Sequence, residues 1–99
     1  MYLSQQQLAQ ISTFFQDKPV KKVYLFGSYA DGDATEESDI DLLIESQKDF
    51  DYLQFRLEVD GLSDKLKKKI DIVSINALRP DRYFTKNVLE QKVMLYEKE

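Results

Sequence analysis

The sequence contains no cysteine and no histidine. The first absence excludes disulfides and thiolate metal sites, and the second removes the commonest general base and metal ligand. Chemistry must therefore rest on carboxylates, hydroxyls, lysines and arginines. Proline and glycine are scarce, at 2 and 3 residues, and no linker, internal repeat or low-complexity tract divides the chain. No apolar run approaches the ~18 residues of a membrane span. The first ten residues, MYLSQQQLAQ, lack the basic start and apolar centre of a secretory signal. The expectation is a cytoplasmic protein without membrane contact. An excess of positive charge is missing too: 14 Lys+Arg against 18 Asp+Glu give a net charge of -4. That field favours neither nucleic acid nor an anionic surface, so no direct nucleic-acid binding is expected.

What is present, 99 residues with 42% hydrophobic and 12% aromatic content, is material for one core rather than two, and a single domain over residues 1–99 is expected. Ser4 and Gln7 have the form of a capping box, and Leu8, Ile11, Phe14 and Phe15 follow at helical spacing, which predicts a helix from Ser4 to Gln16. Pro19 breaks it. VKKVYLF then reads as a strand that stops at Gly27, and IDLLIE as a second strand beyond a polar loop from Ser28 to Ser38. Phe50, Leu53, Leu57, Leu62 and Leu66 predict a second helix between Asp49 and Lys69. KKIDIVSI alternates as a half-buried third strand. A last helix starts near Pro80, with Tyr83, Phe84, Val88 and Leu89 for its buried side, and VMLY can close as a short strand. The order αββαβα, with that optional last strand, predicts an α+β fold: a small mixed sheet of three to four strands with helices packed against it.

The acidic stretch LFGSYADGDATEESDIDLLIE, residues 25–45, carries the chemistry. Asp39 and Asp41 are two apart on a strand and point the same way, while Ile40 points into the core. Alone they would read as a solvated strand edge. Asp71 lies in a third apolar strand and faces the same side if that strand neighbours the second. Three converging carboxylates make an all-oxygen site for a hard cation such as Mg²⁺. Gly27 and Ser28 would sit at its mouth, where glycine admits an anion and N–H and hydroxyl groups hold phosphate oxygens. Carboxylates, Mg²⁺ and phosphate together indicate phosphoryl or nucleotidyl transfer. Other motifs fail. Counting from Asp31, Glu36 stands where an EF-hand needs glycine and Leu42 where it needs glutamate. No Gly-Lys-Ser/Thr ending of a Walker loop is present. Lys65, Lys67, Lys68 and Lys69 read as a solvated helix end, and Tyr29 is the tyrosine expected nearest a ligand.

Gly27-Ser28, ten residues, then Asp39-Ile40-Asp41 resembles the GS-x10-DxD signature of the polymerase-β-like nucleotidyltransferase superfamily, with Asp71 similar to its third carboxylate. The short chain resembles the minimal nucleotidyltransferases, the MNT group, over roughly Leu8 to Tyr96. The resemblance implies a nucleotidyltransferase-like fold and two Mg²⁺ ions, with Asp39 and Asp41 on both and Asp71 on the catalytic one. It further implies that Asp71 helps to remove the proton of the attacking hydroxyl. Gly27 and Ser28 would grip the β- and γ-phosphates of ATP. Members of the group commonly act as antitoxins of HEPN-domain toxins, some by moving AMP onto a toxin tyrosine, so a HEPN-domain partner in a hetero-oligomer is implied. Phe50, Phe55, Tyr83 and Phe84 are expected to offer it apolar surface. The chain departs from the group at Asp31, where arginine is usual. Two alternatives stand beside protein AMPylation: a non-catalytic module that neutralises its partner by contact, and transfer to a small molecule.

Overall fold

A computed structural model describes residues 1–47 and 50–98. The predicted capping box is formed at the start of α1 (Gln5–Phe15): Ser4 accepts from Gln7 N–H, and the Gln7 side chain accepts from Ser4 N–H. Ile11 and Phe15 are fully buried, with Leu8 and Phe14 packed beside them. The chain then runs through β1 (Val20–Phe26), the single turn α2 (Ser28–Asp31), β2 (Ile40–Ser46), α3 (Tyr52–Leu66) and β3 (Ile70–Ser74). A 3-10 turn (Ile75–Ala77), α4 (Tyr83–Gln91) and β4 (Val93–Glu97) complete it. The expected helix start at Asp49 lies outside the described residues. α3 ends at Leu66 rather than Lys69, because Lys67 takes a left-handed conformation (φ 55°) that stops the helix.

The four strands form one mixed sheet in the order β3-β2-β1-β4. β1 pairs antiparallel with β2 and β4, while β2 and β3 run parallel. One face carries the main core, where Ile40, Leu42, Ile44, Ile70 and Ile72 meet α1 and α3. The other face is more thinly covered: Phe26 and Leu43 pack against Val88 of α4. This two-sided burial explains why IDLLIE is nearly continuous in apolar character around its single aspartate.

Several side chains expected inside lie outside. α3 buries Phe55, Val59, Leu62 and Leu66, which leaves Leu53 and Leu57, about 200° around the helix, at 79% and 67% exposure. α4 buries Thr85 and Val88 and exposes Tyr83 at 79%, Phe84 at 52% and Leu89 at 41%. Phe55, by contrast, is inside the core and offers a partner nothing. No helix among the described residues is long and apolar enough to cross a membrane.

Candidate active site

β2 and β3 are adjacent and parallel, and their register sets Asp41 beside Asp71 and Ile40 beside Ile70. The isoleucines turn to the core, so the aspartates turn to the thinly covered face. On the other side of Asp41, the antiparallel register places Phe26, the last residue of β1. Gly27 follows with φ 74° and ψ -154°, a conformation essentially restricted to glycine. A Cβ there would collide with Asp41 Oδ2. The glycine thus lets the backbone lie directly against the carboxylate.

The two aspartates are coupled. Burial pushes the Asp41 carboxyl up to about 6, helped by the neighbouring charges of Asp71 and Asp39 and by a hydrogen bond with Asp71. Lys69 Nζ approaches Asp71 Oδ1 at 3.8 Å from an exposed position. Asp39 precedes the first residue of β2 and lies outside the ladder that locks Asp41 opposite Asp71. It acts on Asp41 as a neighbouring charge. Among the described residues no three carboxylates are gathered at metal-holding distance. The structure therefore brings Asp41 and Asp71 together as a pair, with Asp39 beside it.

The segment expected as a plain loop after Gly27 opens with the turn α2. Its bonds begin with the N–H groups of Ala30 and Asp31, both donated to Gly27 O at 3.0 and 3.3 Å, and it ends at Gly32 in the left-handed region (φ 89°). A helical turn leaves its first N–H groups for partners outside it. Ser28, half-buried, stands at that end. Tyr29 is not at a ligand site: it is 2% exposed, part of the core, with its hydroxyl 3.4 Å from Thr35 O. Lys68 spans to the Glu36 carbonyl and lies 5.5 Å from the centre of the Tyr29 ring, bracing the loop rather than simply dissolving in solvent. Asp31 is exposed, and its Oδ1 accepts from Asp33 N–H at 3.0 Å.

Gly27, Asp41 and Asp71 line a cavity of about 660 Å³ that also involves α3 and α4. Asp31, Ser28 and Asp39 are not in its wall. Among the described residues Arg56, half-buried on α3, is the one cationic residue that lines it, and none of the ion pairs between them includes it. Sequence reasoning missed Arg56. Its only signal was its place four residues after Tyr52, on the same helical face.

A family model described as polymerase beta, nucleotidyltransferase, matches residues 9–99. The chain belongs to the polymerase-β nucleotidyltransferase family. A Methanocaldococcus jannaschii protein provisionally named a protein adenylyltransferase is 44% identical to this nucleotidyltransferase over 85 residues, 78% of this chain and 79% of that one. Two solved structures share the nucleotidyltransferase fold. A toxin–antitoxin structure with AMP-PNP has a TM-score of 0.76 at 22% identity, covering 93% of this chain and 74% of that one. A tri-AMPylated HEPN toxin of Shewanella oneidensis in complex with its MNT antitoxin gives 0.72 at 20% identity, with 97% and 74% covered. The activity of the family, nucleotidyl transfer, agrees with a carboxylate pair set against a glycine at the end of β1.

Proposed function

We propose that this nucleotidyltransferase moves AMP from ATP to a tyrosine hydroxyl of a HEPN-type partner, the α–β phosphoanhydride bond breaking and pyrophosphate leaving, and acts as the antitoxin of the pair. The observation that carries the reading is the register of Asp41 with Asp71 beside Gly27 in one open cavity. Its support from relatives is the adenylyltransferase name of the Methanocaldococcus jannaschii protein and the AMPylated toxin of the structural neighbour.

The donor set fits magnesium. It consists of oxygens alone, with Asp41 and Asp71 side by side in the register of β2 and β3 and Asp39 as a neighbouring charge. Asp39, Asp41 and Asp71 would hold the ions, which when bound would neutralise the triphosphate and polarise the oxygens of an in-line displacement. Asp71 takes up the proton of the attacking tyrosine hydroxyl. Gly27 lets the β- and γ-phosphates lie against the backbone, and Ser28 offers its hydroxyl and N–H to them. Arg56 meets the negative charge of the phosphates from α3.

Co-expression with a HEPN-type protein, followed by size-exclusion chromatography and mass spectrometry, tests the reading. A complex whose toxin tyrosine gains AMP, and loses that gain with Asp41→Asn, is the expected result. A complex without modification would mean neutralisation by contact. Separate elution at micromolar concentration would count against the antitoxin role.

A further inference from the structure

The cavity has a wall that the phosphate chemistry leaves unused. α4 contributes Phe84, Asn87, Val88 and Gln91 to it, positions i, i+3, i+4 and i+7 of one helical stripe. Val88, 4% exposed against Phe26 and Leu43, fixes the rotation of the helix. Phe84 stands edge-on to Phe26, with centroids 6.1 Å apart and planes at 82°, and keeps 52% of its surface exposed. Asn87 is half-buried and Gln91 exposed. None of the described side-chain hydrogen bonds uses either amide.

We propose that this wall is a nucleobase subsite, in which Phe84 stacks on the base and the amides of Asn87 and Gln91 read its edge, so that α4 selects adenine. The inference rests on the nucleotidyltransferase reading of the carboxylates. The chemistry of the wall points to a base and not to more phosphate, because α4 brings no cation to the cavity. An aromatic face next to uncharged groups that both donate and accept is complementary to a flat heterocycle with a hydrogen-bonding rim. About 660 Å³ lies within the range of small-molecule sites and leaves room beyond the phosphates. The choice of adenine follows from the amide. A carboxamide pairs in bidentate fashion with the donor N6 and acceptor N7 of adenine, whereas guanine shows two acceptors there and suits arginine or lysine. Arg56, the cation lining the cavity among the described residues, comes from α3 instead.

Calorimetry on the intact chain with Mg²⁺ and ATP, GTP, CTP, UTP or inorganic tripolyphosphate tests this. The wild type should prefer ATP. Asn87→Leu and Gln91→Leu should each weaken ATP by about ten-fold and flatten the preference, and Phe84→Ala should weaken all four nucleotides by about ten-fold. Tripolyphosphate affinity should not move in any of them. Exposed Gln91 allows a variant without risk to the core, and melting curves check the other two. An unaltered nucleotide preference in both amide variants, with tripolyphosphate still bound, overturns the subsite alone. Failure of the wild type to bind tripolyphosphate overturns the phosphate site on which it rests.

Discussion

Gly27 and Asp41 are in such close contact that a single methyl group on the glycine would occupy the space of the carboxylate oxygen Oδ2. Gly27→Ala therefore carries two penalties, the collision and a φ of 74° that a side chain resists. The backbone part alone costs about 1–3 kcal/mol. The expected outcome is a lowered melting temperature together with lost nucleotidyl transfer, because the Asp41 carboxylate must turn away from its position beside Gly27. Wild-type transfer rates in Gly27→Ala would show that the backbone need not approach the carboxylate.

The carboxyl of Asp41 gives a pH dependence with a definite sign. Its value of about 6 in the folded protein exceeds the ordinary 3.8, so its stabilising contribution is full below about pH 4 and is lost as pH rises through 6. Above that, an ionised Asp41 faces Asp71 and Asp39. In the presence of a chelator, Asp41→Asn should be more stable than wild type at neutral pH by about 1 kcal/mol after solvent screening is discounted, or about 4–8 °C. The difference should vanish near pH 4. Melting curves across this range check it, and a variant less stable at neutral pH would assign Asp41 a structural role.

Arg56 is half-buried in an acidic cavity without an ion-pair partner among the described residues. A charge-assisted contact to phosphate is worth about 1.5–3 kcal/mol. Arg56→Ala should weaken ATP binding by about ten-fold or more, and Arg56→Lys should restore part of it. Equal affinity of wild type and Arg56→Ala for ATP and for tripolyphosphate would remove the residue from the phosphate site.

Asp31 stands where the resemblance to the minimal nucleotidyltransferases leads one to expect arginine, yet its exposed carboxylate caps Asp33 N–H and does not line the cavity. Solvent screening between exposed charges makes its effect on bound phosphate small. Asp31→Arg should change ATP affinity by no more than about two-fold. If the same variant weakens the complex proposed with a HEPN-type protein, the residue lies on the partner surface. A ten-fold gain in ATP affinity would place this side chain over the phosphates instead.

The strands and the carboxylate pair were legible because they depend on local period: Ile40, Ile70 and Ile72 alternate with Asp41 and Asp71, and adjacency of β2 and β3 then sets the pair in register. The cap at Ser4 was equally local. Arg56, Asn87 and Gln91 could not be read, because what makes them cavity residues is that α3 and α4, from opposite faces of the sheet, both border the space beside β3, which no short window encodes. Leu53, Leu57 and Leu89 misled for a related reason. Apolar character at helical spacing marks a face only when the rotation of the helix is known, and Val88 and Phe55 fix that rotation through contacts distant in sequence. The turn α2 was hidden by its brevity, although the glycines at positions 27 and 32 bracket it.

The order β3-β2-β1-β4 gives the two aspartates unequal mechanical support. Asp41 rides on an inner strand clamped from both sides, and Asp71 on a five-residue strand clamped from one. A slight sideways give of the outer strand widens or narrows the gap between the carboxylates without disturbing β1 or β2. Backbone amides of Ile70–Ser74 should accordingly exchange with solvent faster than those of Ile40–Ser46, and nucleotide should slow the former more.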